Sequence, residues 1–380
     1  MHREPEIGAR EHILERKLRH DGIWHSVQLG CSGCLEKAIC GGLAVEANLW
    51  NCLSLCCGTP ERCDRVCRSN PDYARRVHEI GGFALTSLSQ APSLAVQTLP
   101  MVVPEVFHGD VRRRPFAPAM ASVSLYRMFD RRTGEPRYRT HADLCGHFKL
   151  SEGTPLLLTG IQRDRPLERW WELGESKRKA IIRATKDCGV ILVTTPNYSL
   201  FLDRPRWDDL HAIKRIALAH QEFLEAGMPA ALHVNGRTEM DFRRWAEFIS
   251  AHPEVMHVAY EFTTGTGRPT RRRQHAVWLS ELAAAVGRPL HLLVRGGVEV
   301  LPELCAAFSG VTFLETTAFF KTMMRFRAIK GWPIHWWPLP TAIGEPLDDL
   351  FETNWEITRD SITDVVRRHS RMKTPEAAIA

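Results

Sequence analysis

The chain has 380 residues, 44% of them hydrophobic and 25% charged, with a formal net charge of +6. That balance belongs to a globular protein able to bury a sizeable core, and it excludes a disordered or fibrous chain. The N-terminus carries charge but no apolar signal region, and no run of about eighteen apolar residues follows, so the sequence is expected to be cytoplasmic and not membrane-spanning.

Taken in order, residues 1–25 predict a short amphipathic leader helix with Ile13, Leu14 and Leu18 on one face. Eight of the eleven cysteines follow in one stretch: Cys31, Cys34, Cys40, Cys52, Cys56, Cys57, Cys63 and Cys67. Cys31 and Cys34 form a C-x-x-C knuckle, and Cys52/Cys56 and Cys63/Cys67 are C-x-x-x-C pairs, spacings that bring two sulfurs to one centre. A reducing compartment disfavours a disulfide framework, so the segment is expected to bind metal. Zinc prefers paired knuckles in a four-cysteine set. Irregular spacing with apolar neighbours such as Leu53 and Leu55 tilts the expectation toward an iron–sulfur cluster, with zinc as the alternative.

After Gly81-Gly82 the composition changes, and eight apolar runs read as strands: 99–106, 121–127, 155–161, 189–195, 229–235, 255–262, 289–295 and 310–316. Helical patterns at 166–187, 207–226, 238–251, 272–286 and 299–308 alternate with the later runs, and the link between the first two carries no clear helix. Alternating buried strands and amphipathic helices mean parallel strands with right-handed crossovers. Eight of them predict an α/β fold, a (β/α)8 TIM-type barrel, irregular in its first units. The expected organisation is a metal-binding segment over 1–82, the barrel over 83–345, and a C-terminal helix near 346–370 with a tail to 380.

Barrel chemistry sits at the C-terminal ends of the strands. Polar residues close the apolar runs there: Thr159, Thr194, Thr195, His233, Glu261, Arg295 and Glu315. Glu261 and Glu315, on different strands, can divide general acid and base work if their environments separate their pKa values. Arg295 and Lys321 are positioned to hold an anion or to keep a carboxylate ionised, and His233 is a candidate base. The competing reading is a structural layer of ion pairs at the rim. Asn197, Asn235 and Asp203 are expected in loops that contact substrate.

Arginine runs at 112–114, 131–132 and 271–273, represented by Arg113 and Arg272, suit the phosphates of a nucleic acid or form a solvated basic surface. His141, Cys145 and His147 form a second ligand-like cluster. Trp332, Trp336 and Trp337 read either as a plug at one end of the barrel, the favoured alternative, or as a stacking platform.

The segment Thr195-Pro-Asn-Tyr-Ser-Leu-Phe-Leu-Asp-Arg-Pro205 resembles a motif of a bacterial and phage domain of unknown function. In that motif a strand is followed by proline, Asn or Asp, an aromatic, serine, any residue, an aromatic, any residue, aspartate, any residue and proline. Ser199, Phe201, Asp203 and Pro205 carry the likeness, which implies a barrel mouth loop and brings no activity with it. In its parts the chain is also similar to base-exchange barrels of the tRNA-guanine transglycosylase group, which join acidic catalysis to a cysteine-bound metal; their late zinc motif is absent here.

Three functions are consistent with this pattern. The first is an enzyme acting on a nucleic acid or nucleotide-derived substrate, by base modification, base exchange or glycosidic-bond chemistry. The second is a glycoside-type hydrolase or transferase on a small substrate. The third is a non-enzymatic redox-sensing or binding protein.

Overall fold

The computed structural model describes residues 73–200, 206–263 and 269–373. The leader helix, all eight clustered cysteines, Asp203 and the last residues of the tail lie outside them. The described residues divide into two compact units, one comprising residues 91–197, 220–233, 253–263 and 269–373, the other residues 73–90, 198–200, 206–219 and 234–252.

All eight strands of the main sheet belong to the first unit: β1 (Val102–Pro104), β2 (Ala121–Ser124), β3 (Leu156–Thr159), β4 (Leu192–Thr194), β5 (Ala230–His233), β6 (His257–Glu261), β7 (His291–Arg295) and β8 (Gly310–Glu315). They are all parallel, in the order β1-β8-β7-β6-β5-β4-β3-β2. The two ends of that order meet at a single bridge, Glu105 to Ser122, where Val106 N–H donates to Ser122 O at 2.8 Å. The sheet is therefore a nearly closed, TIM-like barrel.

In chain order the helices are α1 (Tyr73–Glu79), α2 (His141–Phe148), α3 (Asp164–Glu172), α4 (Gly174–Asp187), α5 (Arg206–Glu225), α6 (Glu239–Ala251), α7 (Pro269–Val286), α8 (Leu301–Ala307), α9 (Thr317–Met323) and α10 (Asp348–Lys373). No helix lies between β1 and β2, as the sequence suggests. The single helix expected over 166–187 is two, because Gly174 takes a left-handed φ of +75° that breaks the helical path. Likewise, the pattern at 299–308 begins as a 3-10 turn, Val298–Val300, before α8.

Each strand sends alternate side chains into the barrel. Val103, Leu157, Leu192, Ala231, Ala259, Leu293 and Leu314 pack there as one buried cluster, joined by Leu99 and Met120 below the first two strands. Intervening residues such as Leu158, Val193 and Val294 are buried as well, which explains why the strands read as continuous apolar runs.

In the second unit α5 carries Asp209, whose buried carboxylate meets Arg237 Nη1 at 2.7 Å, and His211, whose Nε2 lies 2.6 Å from Glu79. Thr238 and Asp241 form a capping box that starts α6.

The aromatic segment after β8 departs from expectation. Residues Phe326–Ile329 (β9) and His335–Pro338 (β10) pair as an antiparallel hairpin, leaving Trp332 47% and Trp337 63% exposed. These tryptophans plug nothing, since the hairpin gives them a solvent-facing side of their own.

Candidate active site at the barrel mouth

The register that packs the interior also builds the site. Two residues beyond the inward-facing Val103, Leu157, Leu192, Ala231, Ala259 and Leu293 stand Glu105, Thr159, Thr194, His233, Glu261 and Arg295. A period of two sends those six side chains inward as well, one layer higher, at the C-terminal ends of their strands.

Arg295 is shared by two carboxylates. Its Nη1 lies 3.6 Å from Glu105 Oε2 and its Nε 3.7 Å from Glu261 Oε2. Each glutamate is oriented through its other oxygen: Thr159 Oγ1 donates to Glu105 Oε1 at 2.9 Å, and Thr263 N–H donates to Glu261 Oε1 at 3.0 Å. Both Oε2 atoms are buried and accept no hydrogen bond among the described residues, and the Arg295 Nε–H donates none. Glu105 is 1% and Glu261 5% exposed, so these are desolvated acids whose attraction to Arg295 is Coulombic and whose Oε2 atoms alone have unused hydrogen-bonding capacity.

Burial raises both acids. Glu261 is pushed up to about 7 by desolvation, with Glu105 adding to the rise and Arg295 and the Thr263 amide working against it. Desolvation also lifts Glu105, against the pull of Arg295 and the Thr159 hydroxyl. A carboxyl near 7 exchanges its proton at physiological pH, and the amide on Oε1 leaves Oε2 as the oxygen that carries it.

His233 supplies a neutral base in the same layer. Its Nδ1 donates to Thr195 O at 2.6 Å, which fixes the tautomer, and its buried Nε2 has no partner among the described residues. Burial first, and Arg295 second, hold its pKa down to about 4, so Nε2 presents a lone pair at neutral pH.

The next turn is built by close backbone approach. Gly160 O accepts from Tyr126 Oη at 3.0 Å and from Asn197 N–H at 3.1 Å, while Gly160 N–H donates to Thr194 Oγ1 at 2.8 Å. A Cβ at Gly160 would fall 2.3 Å from Thr195 O, so no other residue fits. Asn197, expected to contact substrate, is thereby anchored through its backbone and leaves its Oδ1 unbonded among the described residues.

Several other candidates stand away from this layer. Glu315 is one position out of phase with the inward Leu314, and its carboxylate turns to the start of α9, where it accepts from the Thr317 and Ala318 amides. It is raised to about 7 by burial, yet it serves as a helix cap rather than as the partner of Glu261. Lys321 places its Nζ 5.0 Å from the Phe326 ring and 5.7 Å from that of Trp336, against the β9–β10 hairpin. Asn235 belongs to the second unit, where its Nδ2 donates to Tyr198 O at 2.9 Å and its carbonyl accepts from Trp245 Nε1 at 2.8 Å.

The arginine runs are largely committed within the protein. Arg112 is buried, donating to the carbonyls of Phe148 and Lys149 with its guanidinium over Phe351. Arg113 has its backbone amide on Asp348, Arg114 pairs with Asp349 and Glu352, and Arg272 Nη1 meets Glu299 at 2.6 Å. The His141, Cys145 and His147 cluster is packing: the Cys145 thiol lies 3.3 Å from His141 Nε2 and is pushed up to about 11 by burial, while His147 packs against Tyr138. Among the described residues no group of three His, Cys, Asp or Glu side chains is arranged to hold a metal.

Glu105 is not among the residues expected from the sequence, because it lies inside the apolar run 99–106. A lone carboxylate between Pro104 and Val106 in an otherwise apolar strand is the signal that finds it.

No protein-family model matches the chain, and no curated protein matches it.

Proposed function

We propose that the barrel mouth is an acid/base active site for glycosidic-bond cleavage or exchange on a small, anionic, sugar- or nucleotide-derived substrate. The observation that supports it is the carboxylate pair on one guanidinium, with Glu261 near 7 and an unbonded oxygen on each acid. Because both reach Arg295, the two Oε2 atoms lie no more than about 10 Å apart, a bound compatible with either separation used across one glycosidic bond, about 5 Å or about 6.5–9.5 Å.

In this reading Glu261, protonated on Oε2, delivers its proton to the leaving group. Glu105, whose charged form is favoured by Arg295 against the effect of burial, acts on the other side of the bond as nucleophile or as base toward water. His233 Nε2 accepts a hydrogen bond from a sugar hydroxyl, and the under-bonded guanidinium of Arg295 takes an anionic group of the substrate. A small substrate is favoured over a nucleic-acid polymer because Arg112, Arg114 and Arg272 are spent on carbonyls and carboxylates of the protein itself. We further propose that Cys31–Cys67 binds an iron–sulfur cluster, with zinc as the alternative, as a module separate from this chemistry.

The test is a panel of nucleosides, nucleoside monophosphates and aryl glycosides, assayed for release of base, sugar or phenol by the wild type, Glu261→Gln and Glu105→Gln. Turnover of one class that falls about 100-fold or more in both variants supports the reading. Turnover that survives both substitutions removes it.

A further inference from the structure

Seven of the nine exposed large hydrophobic side chains among the described residues fall between Phe320 and Ile343, within a stretch that has no acidic residue from Thr316 to Gly344. The register of the β9–β10 hairpin explains how they are displayed. Ala328 pairs with Trp336 on the inner side, where Ala328 is buried and Asn354 Oδ1 accepts its amide. Opposed residues of an antiparallel pair share a face, so Ile329 with His335 and Arg327 with Trp337 form the outer one. The tip adds Trp332 and Lys330, both exposed. The irregular segment after β10 adds Leu339, 39% exposed and tied by its amide to Arg325 O, and Ile343, fully exposed at 107%.

The same stretch carries Lys321, Arg325, Arg327 and Lys330, none of which forms an ion pair among the described residues. Four cations without carboxylate partners beside a row of protruding apolar side chains call for an anionic partner with a soft apolar interior. Two copies of the chain cannot meet through this face without setting like charges against each other. Single-stranded nucleic acid is anionic too, but it is gripped by flat faces, and Met324, Ile329, Leu339 and Ile343 offer bases nothing to stack on. Acyl chains accept all four, indoles settle at headgroup depth, and Lys and Arg meet anionic headgroups.

We propose that this hairpin face docks the protein peripherally on an anionic lipid bilayer, with Ile343, Trp337 and Trp332 entering the interface. No helix among the described residues is long and apolar enough to cross a membrane, so the attachment is to the surface.

The experiment is flotation of the full chain with vesicles of phosphatidylcholine alone and of phosphatidylcholine mixed with phosphatidylglycerol, at low and high salt. Binding is expected to the anionic vesicles, weakening about tenfold or more as salt rises or when Ile343→Glu or Arg327→Glu is introduced. Ile343 is fully exposed, so Ile343→Glu is expected to leave the fold intact, and an unchanged thermal melt verifies this. The proposal is overturned if the anionic vesicles float no protein at low salt, or if Ile343→Glu binds them as wild type does. It is equally overturned if a labelled single strand of DNA is bound through Trp337 while vesicles are not.

Discussion

Arg295 Nε stands 3.7 Å from Glu261 Oε2, and neither atom makes a hydrogen bond among the described residues. At that separation the charges attract without locking together, so both keep donor and acceptor capacity for a third group. A structural salt bridge would normally close to a bidentate contact near 2.8 Å, as the Arg178–Glu222 pair does, with bonds of 2.8 and 2.5 Å. The contrast between the closed Arg178–Glu222 pair and the open Arg295–Glu261 pair, within one unit, supports the proposed site at Arg295.

The pH response of Glu261 is the first prediction. Its folded pKa, about 7, lies above the ordinary value of 4.5, so between those limits the native state binds more protons than the unfolded state. Stability from this group is therefore full below about pH 4.5 and is lost as pH rises through 7. Chemical denaturation at intervals from pH 5 to 8 is expected to show wild-type stability declining more steeply than that of Glu261→Gln. Under the proposed mechanism, kcat/KM also falls above about pH 7 as the proton on Glu261 is lost. Equal slopes for the two proteins would contradict the assigned environment.

Replacing Arg295 by Met strands two buried acids. Above pH 7 at least one of them must ionise without a counter-charge or remain protonated at a cost, and a destabilisation of about 3 kcal/mol is expected. As pH falls, protonation of the stranded acids relieves the missing counter-charge and the loss shrinks. Unfolding curves at pH 5 and pH 8 measure the difference; a penalty independent of pH would mean that Arg295 acts by packing alone.

The cysteine segment is tested separately. Anaerobic purification followed by metal analysis and an absorption spectrum is expected to give a brown protein with bound iron and broad visible absorption. Cys56→Ser is expected to lower the iron content while leaving the cooperative unfolding of the barrel in place. A colourless protein with stoichiometric zinc assigns the alternative metal, and a metal-free one removes the metal reading.

What the sequence discloses is set by period. The strands are buried on both faces, so each apolar run announced itself and the eight-stranded order followed. Arg295 ends its run, and His233 and Glu261 stand within two residues of the ends of theirs, where a polar residue is conspicuous. Period also explains the errors. Glu315 stands near the end of its run too, but a run without alternation does not reveal phase, and only the inward packing of Leu314 shows that Glu315 faces the other way. Glu105 was hidden for the converse reason, since Val106 beyond it extends the apolar run past the true strand end at Pro104. The commitments of Arg112 to two carbonyls and of Lys321 to two rings are long-range contacts, on which local composition is silent.

Glu315 and Glu105 make that lesson testable, because adjacent strands give them similar burial and opposite roles. Glu315 accepts the amides of Thr317 and Ala318 at the first turn of α9. Its replacement by Ala leaves those donors unsatisfied and is expected to cost about 1–2 kcal/mol of stability, with the pH profile of activity unchanged. Glu315→Gln keeps a carbonyl oxygen on the same amides and is expected to recover most of the loss. Glu105→Gln retains the hydrogen bond from Thr159 but removes the charge beside Arg295. That substitution is expected to leave stability within about 1 kcal/mol while abolishing turnover. Paired melting and rate measurements on the three variants decide the assignment: a Glu315→Ala protein that folds normally and loses activity would restore Glu315 to the mouth and displace Glu105 from it.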